Sequence, residues 1–171
     1  FGNVIYSRGS VIPLFENQIK SKKIITITDP NMTRFMMSIP NTIDLVFKAT
    51  LMALGGEIFI LKMPTIKLKD LSEVSIEIFS KKYNIDKNKI KKEIIGPRPG
   101  EKLFEELMTE TEALRAYETE DMFIIPPEKD LTGIDLKITD YKNAKKSKLK
   151  RYISRDLKPL SKTDIKNILF K

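Results

Sequence analysis

Ser38-Ile39-Pro40-Asn41-Thr42-Ile43-Asp44-Leu45-Val46-Phe47-Lys48-Ala49-Thr50-Leu51-Met52-Ala53-Leu54-Gly55-Gly56-Glu57-Ile58-Phe59-Ile60-Leu61 is the stretch that decides the fold class. Ser38 is placed to cap a helix, and Ile43, Leu45, Val46, Ala49, Leu51, Met52 and Leu54 follow at helical intervals. Gly55-Gly56 stops the helix. The short apolar run over residues 57–61 directly after that stop predicts a buried strand of a parallel sheet. Helix, glycine stop and strand in immediate succession place the chain in the α/β class.

The flanks agree. Upstream, Ile24-Ile25-Thr26-Ile27-Thr28 is β-branched throughout and ends at Asp29-Pro30-Asn31, which is strand followed by turn chemistry. Before it, residues 11–19 carry apolar side chains at helical spacing, with Pro13 in the first turn where a missing N–H costs nothing. Downstream, an amphipathic helix begins at Lys69 or Asp70 and presents Leu71, Val74, Ile76, Ile78, Phe79 and Tyr83. Lys92-Glu93-Ile94-Ile95 reads as a strand, residues 103–108 as a turn of helix, 122–125 as a short strand and 161–170 as a capped terminal helix. Residues 128–158 are polar and weakly patterned, more like an arm than a core.

Composition narrows the chemistry. With 171 residues, 41% of them apolar, the chain can bury a core of ordinary size. It has no cysteine and no histidine, which removes disulfides, thiolate chemistry, the commonest metal ligand and the usual general base. Any metal site would be all oxygen, and none is expected. Thirty-one Lys and Arg against 23 Asp and Glu give a net charge of +8, which favours an anionic partner. No apolar run approaches the roughly 18 residues of a membrane span, and no signal peptide opens the chain, so a cytoplasmic place is expected. Phe1-Gly2-Asn3-Val4-Ile5 reads as the end of a strand running into a loop, as if the chain were cut from a larger domain.

Gly96-Pro97-Arg98-Pro99-Gly100-Glu101 is the most distinctive loop. A guanidinium gives a bidentate hold on phosphate, and a carboxylate three residues on can accept from ribose hydroxyls, so the loop suits a nucleoside diphosphate. A rigid surface turn with an exposed Arg–Glu pair accounts for the same residues. Arg34 follows a turn and could reach the same pocket, or it could simply pair with Asp29 or Asp44. Ser7-Arg8-Gly9-Ser10-Val11 enters the first helix, whose N-terminal amides could bind an anion, although a cap by Ser10 explains it equally. The acceptor tripeptide Asn31-Met32-Thr33 is common by chance. The Lys81-Lys82, Lys91-Lys92 and Lys145-Lys146 clusters lack interleaved aromatics and read as solvated faces rather than nucleic-acid contacts. Tyr141 and Lys145 have the spacing of a short-chain dehydrogenase pair, yet lie far from any glycine-rich loop.

Taken together, Phe1-Gly2-Asn3-Val4, the block over residues 7–15, Thr28-Asp29-Pro30-Asn31-Met32-Thr33-Arg34-Phe35, Gly55-Gly56-Glu57-Ile58-Phe59 and the block over residues 96–103 resemble one family in order and spacing. That family is the polysaccharide-biosynthesis branch of the extended short-chain dehydrogenases. The likeness is strongest to the C-terminal part of UDP-N-acetylglucosamine 4,6-dehydratases of the inverting type. It covers most of residues 1–127 and, more loosely, the end of the chain.

The resemblance implies the end of a Rossmann-type sheet plus a small α/β substrate-binding domain over residues 1–127. Residues 128–171 would form a polar arm and terminal helix, and the NADP-binding Rossmann half would be absent. Carried over by position, Asn3 and the backbone near Val11 would contact the UDP-sugar, Arg34 and Arg98 the diphosphate, and Glu101 the ribose. Phe1 and Gly2 would lie beside the nicotinamide of NADP. The cofactor loop and catalytic Tyr and Lys of the family fall outside these blocks, so no catalytic residue is expected in this chain and it would be inactive alone. In the parent enzyme the family's logic is oxidation at C4 of the sugar, loss of water across C5 and C6, and return of the hydride to C6. A UDP-sugar epimerase and a non-catalytic binding fragment are the alternatives, nucleic-acid binding ranks last, and the parent is expected to be a homo-oligomer.

Overall fold

The computed structural model describes residues 2–128, 133 and 135–169. In chain order its first elements are β1 (Asn3–Val4), α1 (Val11–Lys22), β2 (Ile24–Ile27), β3 (Thr33–Met37), α2 (Ile39–Met52), β4 (Ile58–Leu61), β5 (Thr65–Lys67) and α3 (Leu68–Lys82). There follow β6 (Lys91–Ile94), β7 (Glu106–Met108), α4 (Glu110–Arg115), β8 (Tyr117–Glu118), β9 (Met122–Ile125), β10 (Lys145–Lys146), β11 (Tyr152–Ile153) and α5 (Lys162–Leu169). The α/β class expected from the sequence is what the structure has. These elements divide between two units.

The first unit takes residues 2–37, 64–105 and the described residues from 154 onward. Its three-stranded sheet runs β1-β3-β5, with β1 parallel and β5 antiparallel to β3. A separate parallel pair joins β2 to β6, in register from Ile24 opposite Lys91 to Ile27 opposite Ile94. Period-2 alternation buries Ile25 and Ile27 of β2, while the helical period buries Ile12, Phe15 and Ile19 of α1 and Leu71, Val74 and Phe79 of α3. These side chains form one core with Ile165 and Leu169 of α5. The end of α1 is set by Lys23, which takes a left-handed φ of 52° and donates its N–H to the Ile19 carbonyl.

The second unit takes residues 38–63 and the described residues of 106–153. Its four-stranded sheet has the order β10-β8-β9-β4, antiparallel throughout. The parallel partner expected for the 57–61 run is therefore corrected: β4 pairs antiparallel with β9, Ile58 opposite Ile125 and Leu61 opposite Met122. All four residues of β9 are buried, whereas Ile58 of β4 is exposed. The expected helical turn over residues 103–108 is also corrected, because Glu106–Met108 pairs with Tyr152–Ile153 as a strand. α2 is capped as expected, the Ser38 hydroxyl accepting from the Asn41 N–H at 3.3 Å. Of its apolar residues only Leu45 is buried, while Ile43, Val46, Phe47 and Leu51 are exposed.

The glycine stop works through Glu57. Gly55 and Gly56 have φ of 136° and 82°, and a Cβ on Gly56 would meet Pro127 at 3.3 Å. The Glu57 carboxylate accepts from the Leu54 and Gly55 N–H groups at 2.7 and 2.8 Å and from the Tyr141 hydroxyl at 3.0 Å. Burial works to raise the Glu57 pKa, but these donors outweigh it and hold the carboxyl below its ordinary value. A depressed acid contributes stability that is present above its unfolded pKa and lost as pH falls through the folded one. Glu57→Gln is accordingly expected to be less stable than the parent chain at neutral pH. In urea titrations between pH 7 and 3 the gap should close as the pH falls, and a gap constant with pH would exclude the carboxylate as its cause.

Candidate functional site

The loop that follows β6 is fixed at its root by the Ile95 N–H, which donates to the Ile27 carbonyl at 2.9 Å. Gly96 and Gly100 take left-handed φ of 77° and 81°, so the two glycines supply the bends that the prolines cannot. Between them the turn closes on itself: the Arg98 N–H donates to the Glu101 carboxylate at 3.0 Å and the Glu101 N–H to the Arg98 carbonyl at 2.9 Å. Arg98 is exposed, and its guanidinium makes no hydrogen bond or ion pair among the described residues.

Arg34 is carried on β3, an element that the sequence reading did not expect. Its guanidinium donates to the Thr33 carbonyl at 2.9 Å and to the Lys102 carbonyl at 2.7 Å, tying the strand to the end of the loop. Its ion-pair partners are Glu101 and Glu105, each at 3.7 Å, rather than Asp29 or Asp44. That part of the expectation is corrected: the nearest carboxylates come from the loop, nearly seventy positions away in sequence. The Asn3 amide of β1 donates to the Glu105 carboxylate at 2.7 Å and to the Phe35 carbonyl at 3.0 Å.

Asn3, Val11, Arg34, Arg98 and Glu101, the five residues singled out for a nucleotide sugar, all line one cavity of about 310 Å³. That volume is at the lower end for small-molecule sites. Ile12, Phe15, Met36 and Ile66 provide its apolar wall. The N-terminus of the twelve-residue helix α1 opens onto it through Ser10, Val11 and Ile12. First-turn N–H groups have no intrahelical acceptor. The Ser10 hydroxyl is not used as a cap, and its oxygen is buried without a hydrogen-bond partner. An anion-receptive helix end, an unpaired arginine and a buried idle hydroxyl thus face the same space.

Phe1 lies outside the described residues, and Gly2 is half-buried just before β1 and does not line the cavity. Tyr141 is buried with its hydroxyl on Glu57, and burial, then that carboxylate, push its pKa up, the reverse of what a proton-abstracting tyrosine needs. Among the described residues no group of carboxylates could hold a metal ion, and no helix is long and apolar enough to cross a membrane. What the cavity's side chains can do is grip and orient an anionic ligand. Two residues of the site were not legible in the sequence: Glu105, which meets both Asn3 and Arg34, and Ser154, which meets Glu105 at 2.9 Å.

A family described as "polysaccharide biosynthesis protein" matches residues 1–127. Among curated relatives, an uncharacterized membrane protein of Methanocaldococcus jannaschii is 48% identical over 169 residues, covering 99% of this chain and 47% of that one. A UDP-glucose 4-epimerase of Rickettsia conorii is 39% identical over 172 residues, again covering 99% of this chain and 47% of the relative. The X-ray structure of Pen from Bacillus thuringiensis superimposes with a TM-score of 0.85 at 50% identity, over 98% of this chain and 47% of that one. The chain thus spans about half the length of the relatives it matches.

Proposed function

The chain belongs to the polysaccharide biosynthesis protein family, and from that premise we propose that it is the UDP-sugar-gripping portion of a nucleotide-sugar-modifying enzyme. The observation that carries the reading is the convergence of Asn3, Val11, Arg34, Arg98 and Glu101 on one cavity. Arg98 and Arg34 hold the diphosphate, with the amides at the start of α1 as further donors. Glu101 exchanges its contact with the Arg98 N–H for the ribose hydroxyls. Asn3 meets the sugar end. Fixing the diphosphate and ribose in this way orients the sugar ring, and orientation alone can lower a reaction barrier by several kcal/mol.

The parent activity we propose is 4,6-dehydration of UDP-N-acetylglucosamine with a nicotinamide cofactor, bound by residues other than those of this cavity. A nearly equal second reading is 4-epimerisation of a UDP-sugar, favoured by the name of the Rickettsia conorii relative. Both readings use the same grip. They differ in chemistry done by groups outside it.

Calorimetric titration of UDP, UDP-N-acetylglucosamine and UDP-glucose into the chain tests the proposal. Binding of all three, stronger than that of uridine, is expected. A folded chain that takes up none of them would remove the reading, and preference between the two sugars would weigh dehydratase against epimerase.

A further inference from the structure

We infer that Glu105 is a positioning residue of this site, held by Ser154 and itself setting the orientation in which Asn3 faces the sugar and Arg34 the diphosphate; the inference rests on the UDP-sugar reading above. Glu105 uses both carboxylate oxygens. One accepts from the Asn3 amide at 2.7 Å and lies 3.7 Å from the Arg34 guanidinium, and the other accepts from the Phe35 N–H at 2.9 Å. It therefore clamps β1 and β3 side by side where both present their polar side chains.

The consequence for Asn3 is specific. Its amide nitrogen also donates to the Phe35 carbonyl at 3.0 Å, so both of its protons are committed and only its carbonyl oxygen remains for a ligand. Asn3 is thereby set as an acceptor, suited to a sugar hydroxyl. Arg34 in turn has Nη1 on the Thr33 carbonyl, Nη2 on the Lys102 carbonyl and near Glu101, and Nε near Glu105, which leaves little freedom in its plane.

Glu105 is itself placed by a buried network from a distant part of the chain. The Ser154 hydroxyl accepts from the Glu105 N–H at 2.9 Å and lies 2.8 Å from the Thr33 hydroxyl, while the Ser154 N–H donates to the Glu105 carbonyl at 2.8 Å. Ser154 is fully buried and Thr33 nearly so. A carboxylate beside a diphosphate repels it, so the charge of Glu105 contributes nothing to attraction. Its hydrogen bonds account for its place.

UDP and uridine are titrated into the chain and into Glu105→Gln, whose side chain can accept at only one oxygen and so cannot satisfy Asn3 and Phe35 together. UDP affinity is expected to fall about tenfold while uridine affinity stays within about threefold, because the hydrogen bonds lost orient groups that face phosphate and sugar, not base. An equal loss for both ligands would mark a merely structural role and overturn the inference. A gain in UDP affinity would overturn it too, since that is the result if Glu105 only competes with phosphate for Arg34. If circular dichroism shows Glu105→Gln unfolded, Ser154→Ala carries the test with the same UDP-selective loss. A parent chain that binds UDP no better than uridine sinks the nucleotide-sugar reading first, and the positioning role with it.

Discussion

Phe79→Ala is expected to lower the stability of this chain by about 3–5 kcal/mol, the usual cost of emptying a buried phenylalanine site. Phe79 is 2% exposed and sits in the core that α1, β2, α3 and α5 share with Phe15, Ile19 and Leu71. That core draws side chains from α1, β2, β3, β5, α3 and α5, so closing the cavity would require moving a backbone element rather than a side chain. A loss of that size approaches the whole stability of many domains of this length. Urea unfolding should show a lower midpoint at an unchanged slope. Leu51→Ala on α2 is the matched control: Leu51 is 87% exposed, so its truncation should change stability by less than about 0.5 kcal/mol. Equal effects at the two positions would contradict the burial pattern.

The pair also shows where sequence reading stops. Leu51 and Phe79 both occupy apolar positions of a helical repeat, and α2 had the clearer pattern of the two. Periodicity reports which side chains share a face, not what that face meets. With relatives about twice the length of this chain, an apolar face is no guarantee of burial within it.

Strand partners were hidden for a similar reason. β2 and β9 were legible because β-branched or apolar runs end at turn residues, and β6 because Ile94-Ile95 stops at the glycine- and proline-rich loop. Thr33-Arg34-Phe35-Met36-Met37 has no alternation, since β3 is flanked by β1 and β5 and four of its five residues are buried. The direction of β4 depends on β9, more than sixty positions away, so no local run could have announced an antiparallel pair. At the site, Arg98 and Glu101 were legible through the glycines and prolines around them. Glu105 and Ser154 carry no motif, and only tertiary structure brings residues 49 positions apart into one network.

Arg98→Ala should weaken UDP binding by about 1.5–3 kcal/mol, roughly ten- to a hundredfold, the range for a lost charge-assisted hydrogen bond. Its folding stability should be unchanged, because the Arg98 guanidinium is exposed and pairs with nothing among the described residues. Arg34→Ala should weaken UDP at least as much and also destabilise the fold. Its removal takes one donor from each of the Lys102 and Thr33 carbonyls and the shared cation from the Glu101 and Glu105 carboxylates. Calorimetry of both variants, with thermal unfolding alongside, separates the two roles: affinity alone for Arg98, affinity and stability together for Arg34. Raising the salt concentration should reduce the parent chain's affinity for UDP more than that of Arg98→Ala, since the variant has lost one of the charges being screened. If Arg98→Ala binds UDP as the parent does, the loop is a rigid surface turn, and the diphosphate contact must be sought at Arg34 and the start of α1.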